Sequence, residues 1–186
     1  MDPIVIPKNV CQDLVKSIQK EWVETNGLGG YASSTVSLVN TRRYHSLLTA
    51  ANKPPLERFV LLSSLEDALE LDGEKFYLSC HFYPDTVYPR GHEYLTQFSL
   101  DPFPTFLYEI GATHVKKTIF LLHRENTVVI AYKLLETDAS SVKLELKPLA
   151  AFRDYHALTQ ENSALNPALE LAKGQVKFHP YAGLAP

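Results

Sequence analysis

Ala68–Leu69–Glu70–Leu71–Asp72–Gly73–Glu74–Lys75–Phe76–Tyr77–Leu78–Ser79–Cys80–His81–Phe82–Tyr83 is the stretch that decides the fold. Ala68–Leu71 runs into Asp72–Gly73, the two-residue turn signal of a β-hairpin. Beyond it Phe76, Leu78, Cys80 and Phe82 alternate with Tyr77, Ser79, His81 and Tyr83, a period of two that predicts a strand with one buried face.

The same grammar recurs on both sides. Val142, Leu144 and Leu146 alternate with Lys143, Glu145 and Lys147, as a strand with one wet face should. Thr127–Tyr132 is a β-branched run that reads as buried on both faces. Thr105–Ile110 and His114–Leu122 flank Gly111 as a further hairpin, and Tyr44–Ala50, Arg58–Leu62 and Gln175–Phe178 are strand candidates. Helix is scarce. Val10–Gln19 places Val10, Cys11, Leu14, Val15 and Ile18 on one face with Asn9 as its cap. Asn162–Lys173, interrupted by Pro167, has room only for a short helix. Pro54–Pro55, Pro84–Pro89 and Pro102–Pro104 read as connections or strand ends. Many short strands separated by turn signals predict an all-β, antiparallel sandwich with few short helices.

With 186 residues the chain fits one domain, large enough to bury roughly 70% of its unfolded surface. Its net charge of −3 excludes the electrostatic footprint of a nucleic-acid binder or a protein held on anionic membrane. The longest uncharged run, Thr25–Thr41, is rich in Gly, Ser and Thr and is no membrane span. Charged residues from Asp2 to Lys20 break up any signal-peptide core, and the two cysteines, Cys11 and Cys80, make no disulfide framework. A cytoplasmic location is the expectation. The ending Pro180–Tyr181–Ala182–Gly183–Leu184–Ala185–Pro186 reads as a linker cut short, so residues 1–186 are expected to be a fragment.

Two polar knots stand out, Thr41–Arg42–Arg43–Tyr44–His45 and Phe152–Arg153–Asp154–Tyr155–His156. Each offers forked guanidinium donors, a phenol with a flat face, and an imidazole that both donates and accepts, the vocabulary of sugar binding. The bland alternative is that these side chains tie strand ends together. Upstream, Asn26–Gly27–Leu28–Gly29–Gly30–Tyr31 fits the loose dinucleotide fingerprint G-x-G-x-x-A. Such a site needs a helix to follow, and Ser33–Ser37 is β-prone, so a tight turn beside a binding surface is the better reading. Carboxylates are plentiful, yet Glu21, Glu24, Glu66, Asp67 and Asp101 sit in contexts typical of solvated side chains. Asp154 is expected to pair with an arginine. His92–Glu93 are adjacent and no H-x-H or H-x-x-x-H occurs, so no metal site is expected. No G-x-S-x-G elbow offers a serine nucleophile.

The ordered blocks Glu21–Trp22, Thr25–Asn26–Gly27–Leu28–Gly29–Gly30–Tyr31–Ala32–Ser33, Asn40–Thr41–Arg42–Arg43–Tyr44–His45, Leu100–Asp101–Pro102–Phe103–Pro104, Asn126–Thr127–Val128–Val129 and Pro148–Leu149 through Phe152–Arg153–Asp154–Tyr155–His156 closely resemble the N-terminal domain of bacterial and archaeal glycogen debranching enzymes. The resemblance departs at Ser34 and Ser46, where the family pattern carries glycine. It implies a β-supersandwich of the galactose-mutarotase-like type leading into an (α/α)6-barrel catalytic domain. It also implies that the barrel supplies the acid and base that hydrolyse α-1,6-glucosidic branch points of glycogen or limit dextrin with inversion. The chain alone is then expected to be non-catalytic, without a cofactor. Its expected partners are α-glucan, through the full-length enzyme, and its own C-terminal catalytic domain. The alternative is a stand-alone carbohydrate-binding or interaction module. Residues expected to face substrate or the barrel are Asn26, Tyr31, Arg42, Arg43, Tyr44, His45, Arg153, Asp154 and His156. Arg43 and His45, two apart on a strand, are expected to point to one side.

Overall fold

The structure, a computed structural model, describes residues 3–181, so Ala182–Pro186 of the linker-like ending lies outside the described residues. In chain order the elements begin with β1 (Ile4–Pro7), α1 (Lys8–Cys11), α2 (Leu14–Ser17), β2 (Glu21–Thr25), β3 (Tyr31–Thr35), β4 (Ser46–Lys53) and β5 (Leu56–Leu71). Next come β6 (Glu74–Tyr77), β7 (Cys80–Tyr83), β8 (Thr86–Arg90), a 3-10 turn over Gly91–Tyr94, β9 (Leu95–Leu100) and β10 (Pro104–Ile110). The remainder is β11 (Thr113–Leu121), β12 (Val128–Glu136), β13 (Val142–Asp154), β14 (Leu169–Ala172) and β15 (Gln175–Phe178). One sheet runs β1-β9-β10-β11-β12 and the other β13-β5-β4-β3-β2, with β6 also on β5; β7–β8 and β14–β15 form separate hairpins. All of these pairings are antiparallel, so the chain is an all-β sandwich.

The core lies between the two large sheets. Trp22 of β2 meets Phe106 of β10 edge to face at 6.1 Å, and Phe98 of β9 packs on Phe106 at 5.1 Å. The indole N–H of Trp22 donates to the Thr35 carbonyl at 3.0 Å, so the large ring is buried with its polar atom satisfied. Asp72 and Gly73 both take positive φ, 49° and 92°, as the β5–β6 turn requires. The Gly111 hairpin closes with Ile110 opposite Thr113.

Several expectations are corrected. The single helix over Val10–Gln19 is two short ones broken at Gln12–Asp13. The capping side chain is Asp13, whose Oδ1 accepts from the Lys16 N–H at 3.1 Å, and not Asn9. Only Cys11 and Ser17 of these two helices are buried. The strand expected over Phe76–Tyr83 is cut at Leu78–Ser79 into β6 and β7, which lie in different sheets. The Leu78 N–H turns inward to the Asp67 carbonyl (2.8 Å), and the Ser79 carbonyl accepts from Gly91 N–H (2.9 Å). β12 is a sheet edge rather than a strand buried on both faces. Asn162–Lys173 holds no helix; its end forms β14.

β13 keeps the expected alternation but not the expected burial. Leu144 and Leu146 stand opposite Leu69 and Asp67 of β5 and therefore share the inner face, yet the opposing sheet does not cover them. No helix among the described residues is long and apolar enough to cross a membrane.

Candidate functional site

The two polar knots meet. Arg43 Nη1 donates to the His156 carbonyl at 3.0 Å, and Arg153 Nη2 returns a bond to the Arg43 carbonyl at 2.5 Å, 110 residues away in sequence. Tyr44 Oη lies 3.2 Å from His156 Nδ1, and the Tyr44 ring stands edge-on to the His156 ring at 5.7 Å. Topology makes this contact: β4 follows the first knot, β13 ends in the second, and both pair with β5.

Thr41–His45 is a turn, not a strand, closed by the His45 N–H on the Arg42 carbonyl at 3.0 Å. Arg43 and His45 consequently point apart, which corrects the shared side expected of them. Arg43 is exposed on the contact with His156, while the His45 ring is buried. His45 Nδ1 accepts from the Thr41 N–H at 3.1 Å, which leaves Nε2 to carry the proton of the neutral ring, 3.5 Å from Glu21 Oε1. The same carboxylate oxygen receives Arg42 Nε at 2.6 Å. Burial holds the His45 pKa below its ordinary value against the opposing pull of Glu21. Glu21, Arg42 and His45 thus form a second cluster, in which the His45 ring is buried while Glu21 and Arg42 are exposed.

The exposed face gains members that sequence reasoning missed. The Tyr155 ring centroid lies 3.9 Å from that of His156 and 5.6 Å from that of Tyr44, and the Arg58 guanidinium lies 5.5 Å from the Tyr155 ring centroid. Tyr31 Oη donates to the Tyr44 carbonyl at 3.0 Å, which brings the glycine-loop tyrosine to the same face. Tyr155 sat inside a quoted block and could have been chosen by type. Arg58 could not, because only the β4–β5 pairing carries it there.

Asp154 does not pair with an arginine. It is exposed, and its Oδ1 accepts from the His156 N–H at 2.8 Å, a local turn bond that shapes the second knot. Arg153 instead donates to carbonyls, at 2.7 Å to Ala157 and also to Arg43. Arg58 Nε donates to the Gly29 carbonyl at 2.7 Å. Among the described residues Arg43, Arg58 and Arg153 form no salt bridge. Three guanidinium groups are therefore fixed in place by neutral acceptors and keep further N–H donors for something else.

Asn26 belongs to the interior rather than to this face. Its Oδ1 accepts from the N–H groups of Leu28 (2.9 Å) and Gly30 (3.0 Å), and its Nδ2 donates to the Glu125 carbonyl (2.8 Å) and Asn126 Oδ1 (3.1 Å). With every polar position engaged and the side chain fully buried, it holds the loop and touches nothing outside. The loop joins two antiparallel strands, so the helix that a dinucleotide site requires does not follow it. Ser34 and Ser46, the departures from glycine, are both accommodated: Ser34 Oγ bonds Asn40 Oδ1 at 3.0 Å and Ser46 Oγ bonds Thr49 Oγ1 at 2.6 Å.

The arrangement is one of recognition. Guanidinium forks and phenol hydroxyls suit hydroxyl and carboxylate oxygens, and the Tyr44, Tyr155 and His156 rings suit the C–H side of a sugar or an apolar side chain. A separate groove of about 730 Å³ is lined mainly by apolar side chains, among them Leu61, Leu62, Pro148, Leu149 and residues of the β14–β15 hairpin.

Comparison with known proteins bears on the chain as a whole. A family model described as glycogen debranching enzyme N terminal matches residues 20–186. No curated protein and no solved structure gives a match.

Proposed function

The chain belongs to the glycogen debranching enzyme N-terminal family, and on that premise we propose that it is the non-catalytic sandwich of a cytoplasmic debranching enzyme. Its role is to pack on an (α/α)6-barrel catalytic domain and to help wall the cleft in which an α-1,6 branch point of glycogen or limit dextrin is hydrolysed. The face built from Tyr31, Arg43, Tyr44, Arg153 and His156, joined by Arg58 and Tyr155, is the part that meets the barrel and its substrate.

One observation carries this reading. Two segments far apart in sequence converge on a face whose arginines are hydrogen-bonded to backbone carbonyls and, among the described residues, to no carboxylate. Solvated surface gives no reason to fix three rotamer-rich cations so closely, because holding each side chain costs conformational entropy. A partner that completes their hydrogen bonding does give one. Interfaces are enriched in Arg and Tyr for this reason.

The test is made in the debranching enzyme that carries this domain. Arg43→Ala and Tyr44→Ala should each lower glucose release from limit dextrin about tenfold, the scale of losing one interface anchor. Melting temperature should stay close to that of the parent. His45→Ala is the control, because it removes a buried ring and should lose activity and stability together. If Arg43→Ala and Tyr44→Ala track melting temperature as His45→Ala does, the face only holds the fold together. Residues 1–186 alone should release no reducing sugar from the same substrate.

A further inference from the structure

β4 and β6 pair with the same edge of β5 and leave a gap between them. β4 reaches along β5 as far as Leu62 and β6 begins at Ala68, so residues 63–67 have no strand beside them on that edge. Two contacts frame the gap: Asn40 Nδ2 donates to the Ser63 carbonyl at 3.0 Å, and the Leu78 N–H donates to the Asp67 carbonyl at 2.8 Å. Leu65 lies midway between them. Strand alternation turns its N–H and C=O to the same edge, where no strand stands opposite.

A cavity of about 10 Å³ adjoins this gap, walled among others by Leu47, Leu65, Ser79, His81 and Lys117. Ser79 is 2% exposed, and among the described residues its Oγ has no hydrogen-bond partner. His81 Nε2 is buried and likewise lacks one, because Glu66 Oε1 stands 4.0 Å off, beyond a direct bond. The buried Lys117 ammonium donates to Asp67 Oδ2 at 2.8 Å, which leaves it two further N–H groups to place. Buried polar atoms without a partner are uncommon in folded proteins, and here two belong to the walls of one cavity.

We propose that this cavity is a binding site for a single structural water molecule, which bridges the gap in the sheet. The space is what one water centre needs, about 10–15 Å³, and admits nothing larger. The charges select water over an ion. The Lys117 ammonium repels a cation, and its Asp67 partner cancels the positive charge that would draw in an anion. Water both donates and accepts, so it can take an N–H from Lys117 and serve Ser79 Oγ and His81 Nε2 whichever tautomer the ring holds. In that position it ties β11 of one large sheet to the segment that leads from β6 into β7. The walls come from both large sheets and from that segment, so the site is distinct from the polar face and does not rest on the debranching role.

Magnetic relaxation dispersion of water oxygen, measured on the 186-residue chain, reads long-lived internal waters without interference from exchanging hydroxyl or ammonium protons. Ser79→Val puts methyl groups where the hydroxyl and the water stand. It should lower the dispersion amplitude by one water while circular dichroism stays that of the parent. Equal amplitudes in parent and variant overturn the inference. A crystal structure of the parent needs no variant, and should show one density peak within hydrogen-bond distance of Lys117 Nζ and Ser79 Oγ. A dry cavity, or one closed by a direct bond from Ser79 Oγ to His81 or Lys117, sinks the proposal. Soaking the crystals in bromide separates water from an anion: an anomalous peak at the site would make it a halide site and the assignment to water wrong.

Discussion

Asp67 shows how much one residue can depend on its neighbours. Its Oδ2 accepts from Lys117 Nζ at 2.8 Å and from Tyr132 Oη at 2.6 Å, with the carboxylate and the ammonium both fully buried. Burial, and then the Asp67 charge, push the Tyr132 phenol well above its ordinary pKa, so it stays a donor. Asp67→Ala leaves the Lys117 charge uncompensated in the core and should cost about 3–5 kcal/mol in urea denaturation. Asp154→Ala, which removes one exposed turn bond, should stay within about 1 kcal/mol. Equal costs would mean that the ion pair is not what ties β5 to β11. The sequence carried this information in a form that residue type alone hides. Asp67 reads as one more solvated carboxylate until β5 is recognised as a strand. The period of two then puts it between Leu65 and Leu69 on the inner face, where a charge needs a partner.

Elements were legible where their chemistry is local and illegible where another segment decides. Asp72–Gly73 and Gly111 announce their hairpins because the turn is made by the residues that form it. The break at Leu78–Ser79 had no such signal. It is made by Gly91, whose backbone passes so close that an added Cβ would lie 2.1 Å from the Leu78 carbonyl oxygen. The glycine loop is visible in the sequence, but that Asn26 turns inward while Tyr31 reaches the outer face is not, for a related reason. A glycine needed for close approach looks the same whether the neighbour is a ligand or the chain itself. Here it is the chain: a Cβ at Gly30 would sit 2.6 Å from Asn26 Nδ2 and 2.9 Å from the Thr49 carbonyl oxygen. Gly30→Ala should therefore destabilise the domain by displacing Asn26, the side chain that links the β2–β3 loop to the β11–β12 loop. Asn26→Ala removes that link directly and should cost about 2–4 kcal/mol, since it leaves several buried groups unpaired. Chemical denaturation of the two variants and of the pair tests the coupling. Strictly additive losses would mean that Gly30 matters for something other than Asn26.

For the whole molecule, alternation and turns sufficed to give the sandwich, but not which faces it covers, because covering depends on how the two sheets overlap. The same overlap sets how stability responds to acid. His45, His81 and His92 each have a pKa held below the ordinary 6.5, with burial the largest cause in every case. Glu21 near His45 and Glu66 near His81 pull the other way without winning. The folded chain thus keeps three neutral rings in a range where the unfolded chain has already taken up protons. A depressed folded value means that the unfolded state binds more protons as pH falls, so stability is full above the ordinary value and declines below it. Melting temperature should be level from about pH 8 to about pH 7, and should fall once pH drops below about 6.5, before carboxylates begin to titrate. His92→Gln, which keeps a neutral polar side chain, should flatten part of that decline. A melting temperature that rises between pH 7 and pH 6 would mean that the Glu21 and Glu66 carboxylates outweigh burial and that these histidines fold as cations.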